Sequence, residues 1–172
     1  LNASISNSSK FEDYKLQNII GNQLAGQGFY EIMANSLTSP KYIALSDDLD
    51  EAHNVTMLNP LSNDLEVMRQ SLLFSGLEAI AHNVNRKRLD LKLFEFGKSY
   101  HNFSDGREEQ KHLSVFVTGN KTSERWNTKS TASDFFYLKG TLEAILERLG
   151  LTKHKSLPTK SDIFSEGVSI KI

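Results

Sequence analysis

Cysteine is absent from the 172 residues, which excludes disulfides, thiolate nucleophiles and cysteine-bound zinc and fits a reducing, cytoplasmic setting. An excess of charge of either sign is missing too: 20 Lys and Arg face 21 Asp and Glu, for a net charge of −1. No overall field then draws the chain to nucleic acid or to a membrane surface. No apolar run approaches the roughly 20 residues of a membrane span. The polar start Leu1–Ser9 lacks the apolar stretch of a signal peptide. Internal repeats and long low-complexity tracts are also missing. What remains is a composition of 38% hydrophobic and 24% charged residues, which suits one globular domain with a sizeable core.

Along the chain, residues 1–9 read as a linker tail and 10–172 as a single core domain cut from a longer chain. A helix is predicted over 10–27, where Leu16, Ile19, Ile20 and Leu24 share a stripe and Gly28 stands at the stop. A strand over 29–37 ends at Ser39-Pro40, a short helix follows at 40–45, and an acidic loop covers 47–51. Val55–Leu58 reads as a short strand closed by Asn59-Pro60. The strongest helical pattern spans 65–85, with Leu73, Leu77, Ile80 and Val84 on one face. Gly76 inside it costs roughly 1 kcal/mol relative to Ala, which points to close packing there.

Strands are predicted at 91–101 and 112–118 around a polar loop holding Ser104-Asp105-Gly106. Setting His101 opposite His112 pairs Phe96 with Val117 and leaves one face apolar and the other polar. Such a sheet takes helices on its apolar face, giving an α+β fold. A further helix spans 134–149, with Ser133 or Asp134 as its cap and Gly150 at its end. The alternation of 167–172 reads as a strand of a sheet interrupted at the C-terminus.

Three blocks carry a resemblance. Gly28-Phe29-Tyr30-Glu31-Ile32 follows a long helix, Met68-Arg69-Gln70-Ser71 precedes another, and Leu93–Tyr100 forms an apolar strand ending Gly97-Lys98-Ser99-Tyr100. In this order they resemble the class II aminoacyl-tRNA synthetases, and within them the beta-subunit family of phenylalanine–tRNA ligases. The run Asp134-Phe135-Phe136-Tyr137-Leu138-Lys139-Gly140 is similar to one of that family. The resemblance implies a class II-type antiparallel sheet with helices packed on one face. It also implies that the chemistry is gone. Active members carry Arg-Pro-Glu or Arg-Pro-Thr where this chain has Arg69-Gln70-Ser71, and Phe-Arg-x-Glu where it has Tyr100, His101 and Phe103. A neutral imidazole does not replace a guanidinium that grips a phosphate. The resemblance thus makes Arg69, Gln70, Ser71, Glu95 and His101 a vestigial pocket without catalytic, cofactor or metal duties. It implies an alpha-subunit partner, with tRNA, ATP and magnesium belonging to the parent complex.

Other candidates are weaker. Five histidines offer no convergent set of three or four ligands, and His82 reads as a packing or surface residue. Arg86-Lys87-Arg88 is the one dense basic cluster. It complements a helix dipole or, as the alternative, contacts RNA. Arg69 either anchors the Asn59–Asn63 turn or is a surface residue of a helix's first turn. Trp126, the single tryptophan, caps the core or meets a partner. A free-standing paralogue that binds a small ligand or RNA in a regulatory role is the rival reading of the whole chain.

Overall fold

The computed structural model describes residues 12–122, 126–127 and 129–172; the expected tail at 1–9 lies outside them. Helix α1 spans Asp13–Gly26 and buries Ile20 and Leu24. It ends with Gly28 at φ +86°, where the Phe29 amide donates to Leu24 O and the Gly28 amide to Ala25 O. This paired closure satisfies two carbonyls and requires a left-handed residue.

The expected strand 29–37 divides. Its first part, β1 (Tyr30–Glu31), runs parallel to the long strand β4 (Leu91–Phe103). Its last part, β2 (Leu37–Thr38), pairs antiparallel with β3 (Val67–Met68). Only Thr56 of the strand expected at 55–58 bridges, to Val67. The helix expected from 65 begins eight residues later: α2 spans Leu73–Val84. Residues before it form a short turn of helix at Asn63–Leu65 and then β3. Pairing with β2 overrides helical propensity there, and the Ser71 hydroxyl accepts the Leu73 amide at the new start.

Strand β5 (Gly106–Thr118) pairs with β4 along its whole length, from Leu91↔Thr118 to Phe103↔Gly106. The hairpin therefore closes in a two-residue turn, Ser104-Asp105, and not in a long loop. Residues 104–111 are polar because the tip stands in solvent on both sides, so alternation is lost though the ladder continues. The register corrects the expected one: His112 faces Gly97 and His101 faces Glu108. The slip is of four residues, an even number, so the division of faces survives it.

Helix α3 (Phe135–Arg148) is capped by Asp134, whose carboxylate accepts the Tyr137 amide at 2.8 Å. That bond and Lys121 hold the Asp134 carboxyl below its ordinary range. The core joins Ile20, Leu24, Phe29, Phe94 and Ile145, with Phe96, Leu113, Val115 and Val117 packed beside them. Helices α1 and α3 thus cover the apolar face of the hairpin, and the fold is α+β as the pattern implies. The third helix sits apart from these: α2 meets the opposite face, its Gly76 against the Phe116 ring. A second small ladder joins β6 (Lys155–Pro158) to β7 (Val168–Lys171). No helix among the described residues is long and apolar enough to cross a membrane.

A methyl group added at Gly76 collides with the Phe116 ring. Helix propensity alone predicts that Gly76→Ala stabilises by about 1 kcal/mol; packing predicts a loss of about 1–3 kcal/mol. Urea unfolding is expected to show the loss.

Candidate functional site

Arg69 follows β3 and sits 4% exposed. Neither a surface position in a helix nor contact with the 59–63 turn describes it. Its backbone is fixed from both sides: the Arg69 amide donates to Ser36 O at 2.9 Å, and Arg69 O accepts the Tyr100 amide at 3.0 Å. The guanidinium then lies across β4. Nη1 meets Glu95 Oε1 at 2.7 Å, Nε donates to Lys98 O at 3.1 Å, and Nη1 also reaches Asn35 O at 3.5 Å and Ser75 Oγ at 3.3 Å. Gly97 makes this route possible, since any side chain there would strike Arg69 and come within 2.7 Å of Leu72.

Glu95 is 1% exposed. Besides Arg69, its Oε1 accepts the Ala34 amide at 3.4 Å, while Oε2 has no hydrogen-bond partner among the described residues. Two buried charges of opposite sign are thus paired, and backbone carbonyls take further donors of the cation. Such a pair gains little net stability over an apolar substitute, yet losing one partner strands the other.

The other three residues of the expected pocket are elsewhere. Gln70 points away from Glu95: its Nε2 donates to Asp50 O at 2.7 Å and Asn54 Oδ1 at 2.9 Å, and its Oε1 accepts the Asp50 amide. It pins the acidic loop. Ser71 serves the start of α2. His101 lies six residues beyond Glu95 on β4, roughly 20 Å away at ~3.3 Å per residue, and stacks on Phe103 at 5.7 Å with His53 on that ring's other contacts. Burial pushes the His101 imidazole below its ordinary pKa; Glu108 opposes this, and His53 and His112 add to it. Its Nδ1 is buried without a hydrogen-bond partner among the described residues. Sequence reasoning missed Ser99, 1% exposed, whose hydroxyl meets His112 Nε2 at 2.7 Å. It also missed Asn35 and Ser36; neither residue type signals that its carbonyl will be needed.

The space beside Arg69 and Gln70 is only about 20 Å³, room for one water and not for an amino acid or a nucleotide, whereas a more open cavity of about 320 Å³ lies beyond Ser71, among Phe74, Ser114, Phe116 and Phe164. Among the described residues no group of three or more His, Asp or Glu converges as metal ligands do. The Arg86–Arg88 cluster lies exposed at the end of α2.

Comparison with known proteins fits this geometry. A family model described as the phenylalanyl tRNA synthetase beta chain CLM domain matches residues 1–172. The phenylalanine–tRNA ligase beta subunit of Bacteroides thetaiotaomicron is 42% identical over 99% of this chain and 22% of its own length. That of Porphyromonas gingivalis is 35% identical over 92% and 21%. The chain therefore spans about a fifth of the curated relatives it matches. Among solved structures, a pyrrolysyl-tRNA synthetase from Desulfitobacterium hafniense superposes with a TM-score of 0.66 at 15% identity, over 92% of this chain and 54% of that one. An ATP phosphoribosyltransferase regulatory subunit/histidyl-tRNA synthetase from Bacillus halodurans C gives 0.63 at 18%, over 88% and 38%. At these identities the likeness carries the fold, that of the class II synthetases.

Two outcomes test the site. Arg69→Met should destabilise by about 3–5 kcal/mol in urea unfolding, and the double change Arg69→Met with Glu95→Leu should recover most of it. For His101 the folded form takes up a proton less readily than the unfolded chain, so stability should fall as pH drops through about 6.5 and level off below the folded pKa. His101→Gln should remove that part of the slope between pH 7.5 and 5, roughly the histidine range.

Proposed function

Since the chain belongs to the phenylalanyl-tRNA synthetase beta chain CLM family, we propose that it is a synthetase core without catalysis of its own, which holds the alpha subunit of the ligase in its working shape. One observation carries this reading: among the described residues, the guanidinium of the expected pocket, that of Arg69, is turned inward onto Glu95, beside a space of about 20 Å³. Electrostatic catalysis of phosphoryl or acyl transfer needs donors aimed at a cavity that substrate can enter. Here the donors are aimed at the chain's own carbonyls. His101, at the position that resembles the phosphate-gripping Arg, is a half-buried imidazole whose pKa burial pushes below its ordinary value. These residues do not fit ATP with magnesium, so nucleotide, phenylalanine and tRNA belong in this reading to the assembled ligase, which would work in the cytoplasm.

Helix α1 and the edge strand β1 have surface to offer. Tyr30 and Met33 beside β1 are 75% and 95% exposed, and Tyr14 and Ile19 on α1 are 58% and 42% exposed. Large apolar side chains left open around a two-residue edge strand suit burial against another protein. The rival, a free-standing binder of a small ligand, lacks a matching cavity beside Arg69.

The full-length chain expressed alone should show no phenylalanine-dependent exchange of pyrophosphate into ATP, and should co-purify with a co-expressed alpha subunit. Met33→Glu with Tyr30→Glu should weaken co-purification at least tenfold, a loss typical of charging an apolar contact. Adenylate formed by the isolated chain would sink the proposal.

A further inference from the structure

The connection between β6 and β7 is longer than a hairpin needs, and its tip is fastened to a distant part of the chain. Its stem closes where the Thr159 amide donates to Gly167 O at 2.9 Å. Near the tip the Ser161 hydroxyl oxygen accepts the Ile163 amide at 3.2 Å. The Asp162 carboxylate accepts the Asp47 amide at 2.7 Å and the Ser46 hydroxyl at 3.5 Å. The bond from the Asp47 amide is the main cause that holds the Asp162 carboxyl below its ordinary range. Ser46 Oγ in turn accepts the Asp48 amide at 3.1 Å. The loop and the acidic segment are thus clasped together, though 115 positions separate Asp47 from Asp162.

This clasp borders the cavity of about 320 Å³ beyond Ser71, a volume at the small end of ligand sites. The cavity is separate from the buried ion pair, since neither Arg69 nor Glu95 lines it. Three rings bound it: Phe74 at the start of α2, Phe116 on β5 and Phe164 from the β6–β7 loop. Phe74 is braced by stacking on Tyr42 at 4.9 Å, and Phe116 by close contact with Gly76. Phe164 is the open one, at 52% exposure. The polar groups of the lining carry charge of one sign only. Ser71 and Ser114 bring hydroxyls, Asp48 brings a carboxylate, and no Lys, Arg or His takes part. Asp48 is exposed, and among the described residues it makes no ion pair. The start of α2, which favours negative groups, is already served by Ser71, whose hydroxyl oxygen accepts the Leu73 amide.

We infer that this cavity binds a small aralkylamine, an aromatic ring on a short alkyl chain that ends in an ammonium group. The ring replaces water against Phe74 and Phe116, where offset-stacked or edge-on contacts are favourable. The ammonium group pairs with the Asp48 carboxylate, and the phenyl faces of the lining attract a cation further. An amino acid or a nucleotide fits less well. Its own carboxylate or phosphate meets Asp48, with no cation in the lining to offset the repulsion. A purely apolar ligand leaves Asp48 and the two hydroxyls unused. The inference goes beyond the scaffold role and does not depend on it.

The test is saturation-transfer NMR on the full-length chain with phenethylamine at about pH 7, where the amine is a cation. The titration runs to about 10 mM, because so small a ligand binds in the millimolar range. Phenethyl alcohol removes the charge and phenylalanine adds a carboxylate; each should bind this cavity about fivefold more weakly than the amine, read by its power to displace it. Asp48→Asn should weaken the amine about fivefold and leave the alcohol unchanged. Phe164→Ala should weaken both ligands by about two- to tenfold. Both substituted side chains are open to solvent, so each variant should keep the wild-type Tm. Absence of amine binding would overturn the inference, as would equal amine affinity in wild type and either variant. So would displacement of the amine by phenylalanine as readily as by the amine itself.

Discussion

Everything near the middle of this molecule is arranged around one buried ion pair. Arg69 and Glu95 leave water almost completely, at 4% and 1% exposure, and such a step costs several kcal/mol per ion after relaxation. Their contact at 2.7 Å offsets part of this. The rest falls to backbone carbonyls that must be brought to the guanidinium and kept there. Asn35 O comes from the crossing segment between β1 and β2, and Lys98 O from β4 itself. Three pieces of chain that are distant in sequence are thus held at one point. The pair works less as a source of stability than as a condition on geometry: unless those carbonyls converge, the charge is stranded.

That condition explains the irregular elements better than propensity does. The segment after β1 leaves the sheet to lay its carbonyls over Arg69, which is why the expected strand 29–37 survives only at its two ends. The stretch before α2 stays extended for the same reason, since the Arg69 amide donates to Ser36 O and its carbonyl accepts from Tyr100. Gly97 and Gly76 are the matching concessions on the other side. The first lets the guanidinium cross β4, and the second lets α2 settle on Phe116.

What could be read from the sequence was whatever one local rule controls. Helices α1 and α3 show in their apolar stripes and in Gly28 and Gly150 at their ends. The two faces of the hairpin show in the alternation of Phe94, Phe96, Val115 and Val117 against Glu95, Ser99 and Ser114. The register did not show, because a wet hairpin tip carries no alternation and shifts by an even number leave the faces alike. The start of α2 did not show, because pairing of Leu37 with Met68 is a contact between residues thirty-one apart. Of the five residues grouped by resemblance, Arg69 and Glu95 meet, while Gln70, Ser71 and His101 serve other neighbours. Their grouping rested on positions in related enzymes, where those side chains face a ligand. Here each faces its own chain.

Binding a ligand and holding an interior together place opposite demands on one cation. A cation that is to stabilise a transferred phosphate must stay underused by the protein, solvated or loosely held until substrate arrives. A cation that ties strands together must have its donors satisfied in the resting fold. Arg69 cannot do both, and its donors are already taken by Glu95, Lys98 O, Asn35 O and Ser75 Oγ. The same logic separates it from Arg86, Lys87 and Arg88. Among the described residues those cations are exposed and without carboxylate partners, on a backbone that keeps Lys87 where glycine would be easier. In one chain, then, the inward cation has its donors taken up by the resting fold, while the outward ones leave most of theirs to solvent.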